Sequence, residues 1–403
     1  MKSLLPVVVA TVLLIATATR FVLGDSELGV RSKSSVANIF ESKAKNMREV
    51  ATELSVLHEK DDLNIWGLAF SPNGKYLAAS SPSSHEVHIW DWQNQRLVRT
   101  LEKISQGASD LMATEPIRYS PDGRLLANCH RRAKGNVVVR IWNPETGEIV
   151  HDIVDSIEGG DCSAIGFTPD GGSLIRTLLR FPQFPGNNVI VYSTTTWLPV
   201  WGLRTVPFQP TTLAISPDGN SIALGGSFFS GADSRFQSQI RIVSMETHSA
   251  VRTIDAFPSD NRIERLAWSP HGNKIAAGSI VGGTFRGPDA VKIFNVKTGD
   301  LDVGESAELA HIRALRYSPD GRYLIESGIL KKSETIMGKR YPLLRVGNLP
   351  PPKSWEYVVE IWDGDHHELL QEIPGQAGSL AVSSDGRYLA MGGDGVIFIW
   401  QLR

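Results

Sequence analysis

The sequence contains few of the features that mark several common classes of protein. It has only 2 cysteines, and its formal net charge of -2 provides no overall attraction to nucleic acid or anionic lipid. It has no Asn-x-Ser/Thr acceptor, so one expected mark of a eukaryotic secretory protein is missing. Apolar residues make up 41% and charged residues 21%, which are ordinary values for a globular chain. This composition argues against disorder and against a bundle of membrane helices.

The sequence also lacks the motifs of common catalytic sites. It has no Gly-x-Ser-x-Gly elbow, no phosphate-binding loop, no Cys-x-x-Cys pair and no paired-glycine nucleotide fingerprint. The nearest match begins at His367, but Gln371 stands where a zinc-protease helix has its second His, and we expect a strand there. Asp363, Asp365 and His366 are interpreted as a polar hairpin turn. We therefore predict no catalytic residue, no metal and no cofactor.

The first residues are typical of an export signal. Lys2 precedes an apolar stretch from Leu4 to Thr19, which is too short for a comfortable transmembrane helix. Cleavage after Gly24 would make residues 1–24 a signal peptide, and an uncleaved membrane anchor is the alternative because Arg20 interrupts the apolar run. In both cases we expect the rest of the chain outside the cytosol, either secreted or in a bacterial envelope (periplasmic).

The two cysteines, Cys129 and Cys162, form an even number in a chain that is expected to be exported. This number permits one disulfide, and it permits two buried thiols equally well. Sequence spacing does not decide between them, whereas the separation of the two Cα atoms would.

One turn motif recurs seven times through the body of the chain. Its copies, typified by Ser-Pro-Asp-Gly, begin at Ser71, Ser120, Thr168, Ser216, Ser269, Ser318 and Ser383. The spacing is 48 to 53 residues, with one longer interval of 65. Pro presets φ at the second position of such a turn, and Gly allows a left-handed fourth position. Each copy is therefore interpreted as a hairpin turn between the first two strands of a repeat.

Four short strands with alternating polarity follow one another around each turn. The third strand often ends in a large ring, and these rings are Trp90, Trp142, Phe294, Trp362 and Trp400. One ring per repeat is typical of packing between neighbouring sheets, and we predict this structural role for them rather than a role in cofactor binding.

In these turns, in Ile-Trp-Asp strands and in Thr-Gly endings such as Thr146-Gly147, the sequence resembles the WD-repeat family of the G-protein β-subunit type. The resemblance covers residues 51–403 and implies an all-β, seven-bladed β-propeller. TolB-like propellers have similar turns and remain an alternative. The Gly-His pair of the family is largely missing, with His58 and His311 as its nearest relics, so the family's internal hydrogen-bond tetrad is expected to be degraded.

The two ends of the chain predict how the ring closes. The last repeat ends after its third strand, from Val396 to Leu402, and therefore lacks a fourth. The segment from Ala51 to His58 has strand composition, so we predict that it completes the seventh blade and leaves no open edge. Residues 25–50 are predicted to be a linker or a short amphipathic helix.

The loops between second and third strands vary most in length, and we expect them to share one face of the propeller. In the resembled family this face holds the channel entrance and binds partners. The longest loop runs from about residue 330 to 355, and loops of this length are usually functional or disordered. The predicted partner-binding residues are the cations and rings of these loops, namely Arg131, Arg132, Lys134, Arg180, Phe181, Phe184, Phe228, Phe229, Arg235, Phe236, Phe285, Arg286, Lys331, Lys332, Lys339, Arg340, Tyr341 and Arg345.

The functional hypothesis is a non-enzymatic scaffold that binds a protein or peptide, with an acidic partner favoured by the basic face. The alternative for the phenylalanines is that each anchors its loop to its own blade. A hydrolase or lactonase with a site at the central channel is the rival hypothesis. It requires converging carboxylates or histidines, whereas the first strands are interpreted as mostly apolar with His311 as the exception. We expect a monomeric propeller that binds no nucleic acid and contacts a membrane only through an uncleaved N-terminus.

Overall fold

The structure is a computed structural model, and its description covers residues 50–59, 65–81, 86–101, 117–131, 137–154, 160–180, 186–230, 235–257, 261–281, 291–305, 309–330, 357–364, 368–375, 377–393 and 395–403. The described residues form 28 strands and contain no helix. Among these residues, no helix has the length and hydropathy that crossing a membrane requires. The predicted signal at 1–24 and the segment 25–49 lie outside the described residues.

The strands form seven antiparallel four-stranded blades. Blade 1 contains β2 (Gly67–Phe70), β3 (Tyr76–Ser80), β4 (Val87–Asp91) and β5 (Arg96–Leu101). Blade 2 contains β6 (Ile117–Tyr119), β7 (Leu126–Arg131), β8 (Val137–Trp142) and β9 (Ile149–Val154). Blade 3 contains β10 (Gly160–Phe167), β11 (Ser173–Arg180), β12 (Val189–Ser193) and β13 (Pro199–Leu203). Blade 4 contains β14 (Gln209–Ile215), β15 (Ser221–Ser230), β16 (Arg235–Ser244) and β17 (Ala250–Phe257).

The remaining three blades repeat this order. Blade 5 contains β18 (Asn261–Trp268), β19 (Lys274–Val281), β20 (Val291–Asn295) and β21 (Leu301–Glu305). Blade 6 contains β22 (Leu309–Tyr317), β23 (Tyr323–Leu330), β24 (Tyr357–Asp363) and β25 (Leu369–Pro374). Blade 7 contains β26 (Ser379–Val382), β27 (Tyr388–Gly392), β28 (Val396–Leu402) and the N-terminal strand β1 (Ala51–His58). A bridge between Ile280 and His311 joins the sheets of blades 5 and 6.

Closure of the ring by the N-terminal strand is confirmed. β1 pairs antiparallel with β28, with Ala51 opposite Leu402 and His58 opposite Val396. The side chain of Gln371 fixes the start of β1, because its Oε1 accepts hydrogen bonds from the backbone N–H groups of Val50 and Ala51 at 2.8 and 2.7 Å. Gln371 lies on β25, so the predicted strand at the zinc-protease-like segment is also confirmed. The side-chain amide of Gln371 therefore stabilises the strand that closes the propeller.

The first strands of the blades form the innermost layer, and each contacts the first strand of the next blade around the full ring. The seven turns form a second ring at one end of these strands. Neighbouring turns touch, as Gly123 does against Pro72, and Ser384 Oγ of the last turn donates to Pro72 O of the first at 2.6 Å. The glycine of every turn has φ between 70° and 76°, so the predicted left-handed fourth position is confirmed.

The aromatic rings of the third strands pack between blades, as the sequence predicts. Trp142 of blade 2 is buried beside Val87 and Ile89 of blade 1. Phe294 of blade 5 is buried beside Ile240 of blade 4 in the same way. Each ring removes a large apolar area from water at a blade interface, which stabilises the register of adjacent blades.

Cys129 on β7 and Cys162 on β10 form a disulfide, and their Cα atoms lie 6.5 Å apart. The sequence permitted either a bond or two thiols, and the structure has the bond. Both residues are buried in the apolar cluster between blades 2 and 3, beside Ile141 and Leu178. The disulfide therefore links two consecutive blades through their shared core.

Candidate partner-binding face and central channel

The loops between second and third strands leave the end of the propeller opposite to the ring of turns. Each first strand ends at its turn, so in an antiparallel blade the connection from second to third strand lies at the end where the first strand begins. The ends of the second strands and the starts of the third strands therefore lie on one face, which we call the loop face.

The hairpin of β15 and β16 in blade 4 extends furthest toward the loop face among the described second and third strands, because each of its strands has 10 residues. Its last pairs are Phe229 with Phe236 and Ser230 with Arg235. The aromatic residues that the sequence assigns to this loop thus belong to a regular, fully paired hairpin.

Two rings of this hairpin have different surroundings. Phe228 is half-buried and packs against the apolar core shared by blades 3 and 4, as an anchoring residue would. Phe236 is 40% exposed, and the guanidinium carbon of Arg262 lies 5.7 Å from its ring centroid. Arg262 is the second residue of β18 in blade 5, so this cation–π contact crosses from one blade to the next. The pair presents an aromatic surface and a positive charge on the loop face.

Two further residues of the predicted partner-binding set lie at the ends of described strands. Arg131 and Arg180 are the last residues of β7 and β11, so both strands end at the loop face with an arginine. The rest of the set lies outside the described residues, and consists of Arg132, Lys134, Phe181, Phe184, Phe285, Arg286, Lys331, Lys332, Lys339, Arg340, Tyr341 and Arg345. Their assignment remains a prediction.

Four arginines line a cavity of about 250 Å³, part of it open to solvent, between the innermost strands. Arg118 comes from β6 in blade 2, Arg265 from β18 in blade 5, and Arg313 and Arg316 from β22 in blade 6. Because blade 2 lies across the ring from blades 5 and 6, these arginines meet in the central channel. Trp66, which precedes the first strand of blade 1 and is 40% exposed, also lines the cavity.

Three of the channel arginines share one local arrangement. The Nη1 group of Arg118, Arg265 and Arg316 donates in each case to the carbonyl oxygen of the preceding residue at 2.8 Å. Arg265 also donates from Nε to the carbonyl oxygen of Arg313 at 2.5 Å, which ties blade 5 to blade 6. These bonds hold the guanidinium groups beside the channel backbone.

Burial and mutual repulsion both affect these cations. Burial lowers the pKa of Arg118 well below its ordinary range, and Arg316 and Arg265 lower it further. Burial also lowers the pKa of Arg265 to about 10, where Glu264 opposes the shift and Arg313 and Arg316 add to it. The pKa of Arg316 is lowered to about 10 by burial. Arg265 and Arg316, with pKa values of about 10, remain protonated at neutral pH, so the channel is positively charged.

The first strands are mostly apolar, as the sequence predicts, but His311 is not the lone exception, because Asp161 and Glu264 also lie on first strands. β18 and β22 together carry Glu264, Arg265, Arg313 and Arg316 as well as His311. Burial, with a smaller effect of Arg313, lowers the pKa of His311 to about 4, so this histidine is neutral at pH 7. Burial raises the pKa of Glu264, against the opposing charges of Arg265, Arg262 and Arg313. No group of three metal-ligating side chains occurs in the described ranges.

The channel arginines carry a signal in the sequence that position-by-position comparison of the repeats would have found. Arg118 and Arg316 stand two residues before the first residue of their turns. The five other repeats have Ala69, Gly166, Ala214, Ala267 and Ala381 at this position. A position that holds only the smallest residues in five blades has little space around it. An arginine there must extend toward the channel, where space remains.

Comparison with known proteins agrees with this architecture. The family profile described as WD domain, G-beta repeat, matches residues 52–91 and 367–401, which are the first and last repeats of the ring. The chain is a β-propeller whose first and last repeats match the WD-repeat family. The WD-repeat propeller is 26% identical over 200 residues to the WD repeat-containing protein WDS homolog of Arabidopsis thaliana, covering 48% of the chain and 33% of that protein.

Two further relatives carry the same description. The WD repeat-containing protein 26 homolog of Arabidopsis thaliana is 29% identical over 129 residues, which cover 32% of this chain and 20% of that protein. An uncharacterized WD repeat-containing protein of Synechocystis sp. is 23% identical over 128 residues, which cover 32% of this chain and 33% of that protein. The alignments with these curated relatives therefore span a third of their lengths or less, and the similarity is to their repeats.

The first blade of the WD-repeat propeller has a buried polar network centred on Glu59. Glu59 Oε2 lies 2.5 Å from His88 Nδ1, and Glu59 Oε1 accepts a hydrogen bond from Trp90 Nε1 at 2.7 Å. His58, which the sequence offered as a relic of the family's Gly-His pair, is exposed, so its neighbour Glu59 makes these contacts. Burial acts to lower the pKa of His88, but the hydrogen bonds and charges of Glu59 and Glu86 outweigh it and raise this pKa above 6.5.

Replacement of Glu59 by Gln is expected to lower the free energy of unfolding by about 2–3 kcal/mol at pH 6, because a buried charged partner of His88 is lost. The raised pKa of His88 in the folded state stabilises the wild-type fold fully below pH 6.5. This stabilisation is lost as the pH rises through the folded-state pKa. Urea unfolding at pH 6 and pH 9 should therefore give a larger difference for the wild type than for Glu59→Gln.

Glu53→Gln is the matched control, since Glu53 is an exposed carboxylate on the same N-terminal segment. It should change neither the stability at pH 6 nor the difference between pH 6 and pH 9 by more than about 0.5 kcal/mol. Equal stabilities of Glu59→Gln and wild type at both pH values would contradict the role assigned to this network.

Proposed function

We propose that this WD-repeat propeller is a non-enzymatic scaffold outside the cytosol that binds a protein or peptide, preferentially an acidic one, through its loop face. WD-repeat proteins typically bind other proteins and are generally not enzymes, which is the general ground for the proposal. The preference for an acidic partner comes from the charge of this particular face.

The observation that carries the proposal is the contact between exposed Phe236 and Arg262 at the tip of the extended blade 4 hairpin. Aromatic rings and arginines are the residue types that most often dominate binding energy at protein interfaces. The ring is held by a fully paired hairpin, so little conformational entropy is lost when a partner covers it. The channel arginines add positive potential that would steer an acidic partner.

A location outside the cytosol is supported by two independent features. The first 24 residues have the charge and apolar pattern of an export signal. The buried disulfide between Cys129 and Cys162 is of a kind that persists in oxidising compartments and is rare in the cytosol. Both features favour a secreted or periplasmic protein.

The hydrolase alternative requires carboxylates or histidines that converge on the channel. The described lining of the cavity supplies four arginines and contains no carboxylate and no histidine. Guanidinium groups remain protonated and can bind an anion, but they do not serve as a general base at neutral pH. The described geometry therefore favours binding over hydrolysis.

The proposal predicts that Phe236→Ala weakens partner binding by about tenfold or more, because it removes an exposed ring from the binding face. The partner would first be identified by affinity capture from the native envelope or medium, and its Kd for the purified propeller then measured. Leu198→Ala is the matched control, since Leu198 is 66% exposed but lies at a turn between the third and fourth strands of blade 3, away from the loop face. Equal loss of affinity in both variants would refute the assignment of the face.

The charge part of the proposal has its own test in the same assay. Replacement of Arg131, Arg132, Lys331 and Lys332 together by Ser should raise the Kd and reduce its dependence on salt concentration. A chain that lacks residues 330–355 should show whether the longest loop contributes. Unchanged affinity and salt dependence in the fourfold variant would contradict the proposed contribution of positive charge to binding.

A further inference from the structure

Positive charge accumulates in the central channel. Arg118, Arg265, Arg313 and Arg316 line one cavity, although they come from three different blades. Like charges in a site with low dielectric repel one another strongly, and buried cations are normally paired. Glu264 is the carboxylate placed against this group, with its Oε2 at 3.8 Å from Arg265 Nη1.

Two of the four guanidinium groups retain donors that the described residues do not use. Arg265 uses Nε for the carbonyl oxygen of Arg313 and Nη1 for that of Glu264, which leaves its Nη2 group without a described acceptor. The half-buried side chain of Arg313 donates no hydrogen bond to any described residue. A guanidinium has five N–H donors in a fixed planar fork, and this fork matches the oxygens of carboxylate and phosphate.

The size of the cavity restricts what these donors can bind. Its space of about 250 Å³ includes volume that is open to solvent, so the enclosed part is much smaller than the roughly 300–1,000 Å³ of sites for drug-sized ligands. The cavity is partly open to solvent, so a small solute can enter it. A small ion fits these limits better than an organic cofactor or a folded segment.

We infer that the central channel is a binding site for a small doubly charged oxyanion of the phosphate class, held by Arg265 and Arg313 within the positive field of Arg118 and Arg316. Two negative charges match several converging cations better than one does, because each guanidinium can then face an anionic oxygen. The ligand would lie between blades 5 and 6 on one side and blade 2 on the other. This site is distinct from the protein-binding surface proposed for the blade 4 hairpin.

Titration of the intact protein with inorganic phosphate in an isothermal calorimeter tests the inference directly. The ionic strength is kept constant with chloride, so that general screening does not change during the titration. We expect saturable binding of one phosphate per chain, and a Tm that rises by about 3–5 °C when phosphate exceeds its Kd a hundredfold. Acetate, a single carboxylate, should bind at least tenfold more weakly. No saturable phosphate binding would overturn the site, and acetate of equal affinity would overturn the assignment to a doubly charged anion.

Arg313→Gln is the decisive variant, because its side chain holds no described hydrogen bond whose loss would disturb the fold. It should weaken phosphate binding by about tenfold or more, since a charge-assisted hydrogen bond is lost. Arg322→Gln is the matched control, because it removes the same charge from an exposed position beside the turn of blade 6. It should leave the phosphate Kd unchanged. Unaltered binding in Arg313→Gln, or an equal loss in Arg322→Gln, would overturn the proposed site.

Discussion

A chain that lacks residues 1–58 is expected to lose its cooperative unfolding transition and to aggregate at micromolar concentration. Deletion of β1 leaves β28 as an unpaired edge, and exposed edges of this kind recruit strands from other chains. It also removes Leu57, which is buried with Ile397 and Ile399 in the core between blades 7 and 1. Size-exclusion chromatography and thermal unfolding followed by circular dichroism would record both effects. A peptide of residues 50–59 added in trans should partly restore the folded state, since it supplies the missing strand.

Point substitutions within β1 separate strand pairing from general damage to the N-terminus. Leu57→Ala should lower the free energy of unfolding by about 2–5 kcal/mol, the usual cost of a cavity at a buried leucine. Leu54→Ala removes the same atoms from the same strand, but Leu54 is 51% exposed and should cost less than about 0.5 kcal/mol. If both variants were as stable as the wild type, or if the shortened chain kept its Tm, the closing role of β1 would be wrong.

Loss of the disulfide is expected to lower the free energy of unfolding by about 3–4 kcal/mol, as estimated for a closed loop of 33 residues. The double substitution Cys129→Ala and Cys162→Ala would remove the bond without burying a new polar group. Guanidinium unfolding of the oxidised wild type, the reduced wild type and the double variant would give the three stabilities. The reduced wild type and the double variant should agree within about 1 kcal/mol.

The double variant supplies the control for the reducing agent itself. Its unfolding midpoint should not change when dithiothreitol is added, whereas the wild-type midpoint should fall. A wild-type midpoint that is insensitive to full reduction would show that the bond contributes nothing to stability. Because the bond links blades 2 and 3, its loss should also increase hydrogen exchange in β7 and β10 more than in β26 and β27.

The contacts of the polar network centred on Glu59 could not be predicted from the sequence. The sequence pointed to His58 as a relic of the family's Gly-His pair, but strand alternation exposes His58 and buries Glu59. The contacts of Glu59 with His88 and Trp90 depend on how the end of β1 lies against β4. A shift of one residue in a strand reverses the face on which a side chain lies, so the local pattern alone does not identify the residue that makes the contact.

For the predicted partner-binding residues, too, the sequence indicated the location and the structure showed the surroundings of each side chain. The sequence identified the loops between second and third strands as the variable face, and the hairpin with Phe236 lies there. It did not distinguish Phe228, which anchors the hairpin to the core, from Phe236, which is exposed. The difference depends on the rows of side chains in the neighbouring blades, which belong to remote parts of the sequence.

The sequence by itself determined the number of blades, the position of each turn and the strand that closes the ring. These features depend on local chemistry, because proline and glycine set the turns and alternating polarity sets the strands. Only the tertiary structure decided that Arg118, Arg265 and Arg316 meet in one channel and that Cys129 bonds to Cys162. The channel arginines lie on strands separated by whole blades, and they come together only because the ring of seven first strands is closed.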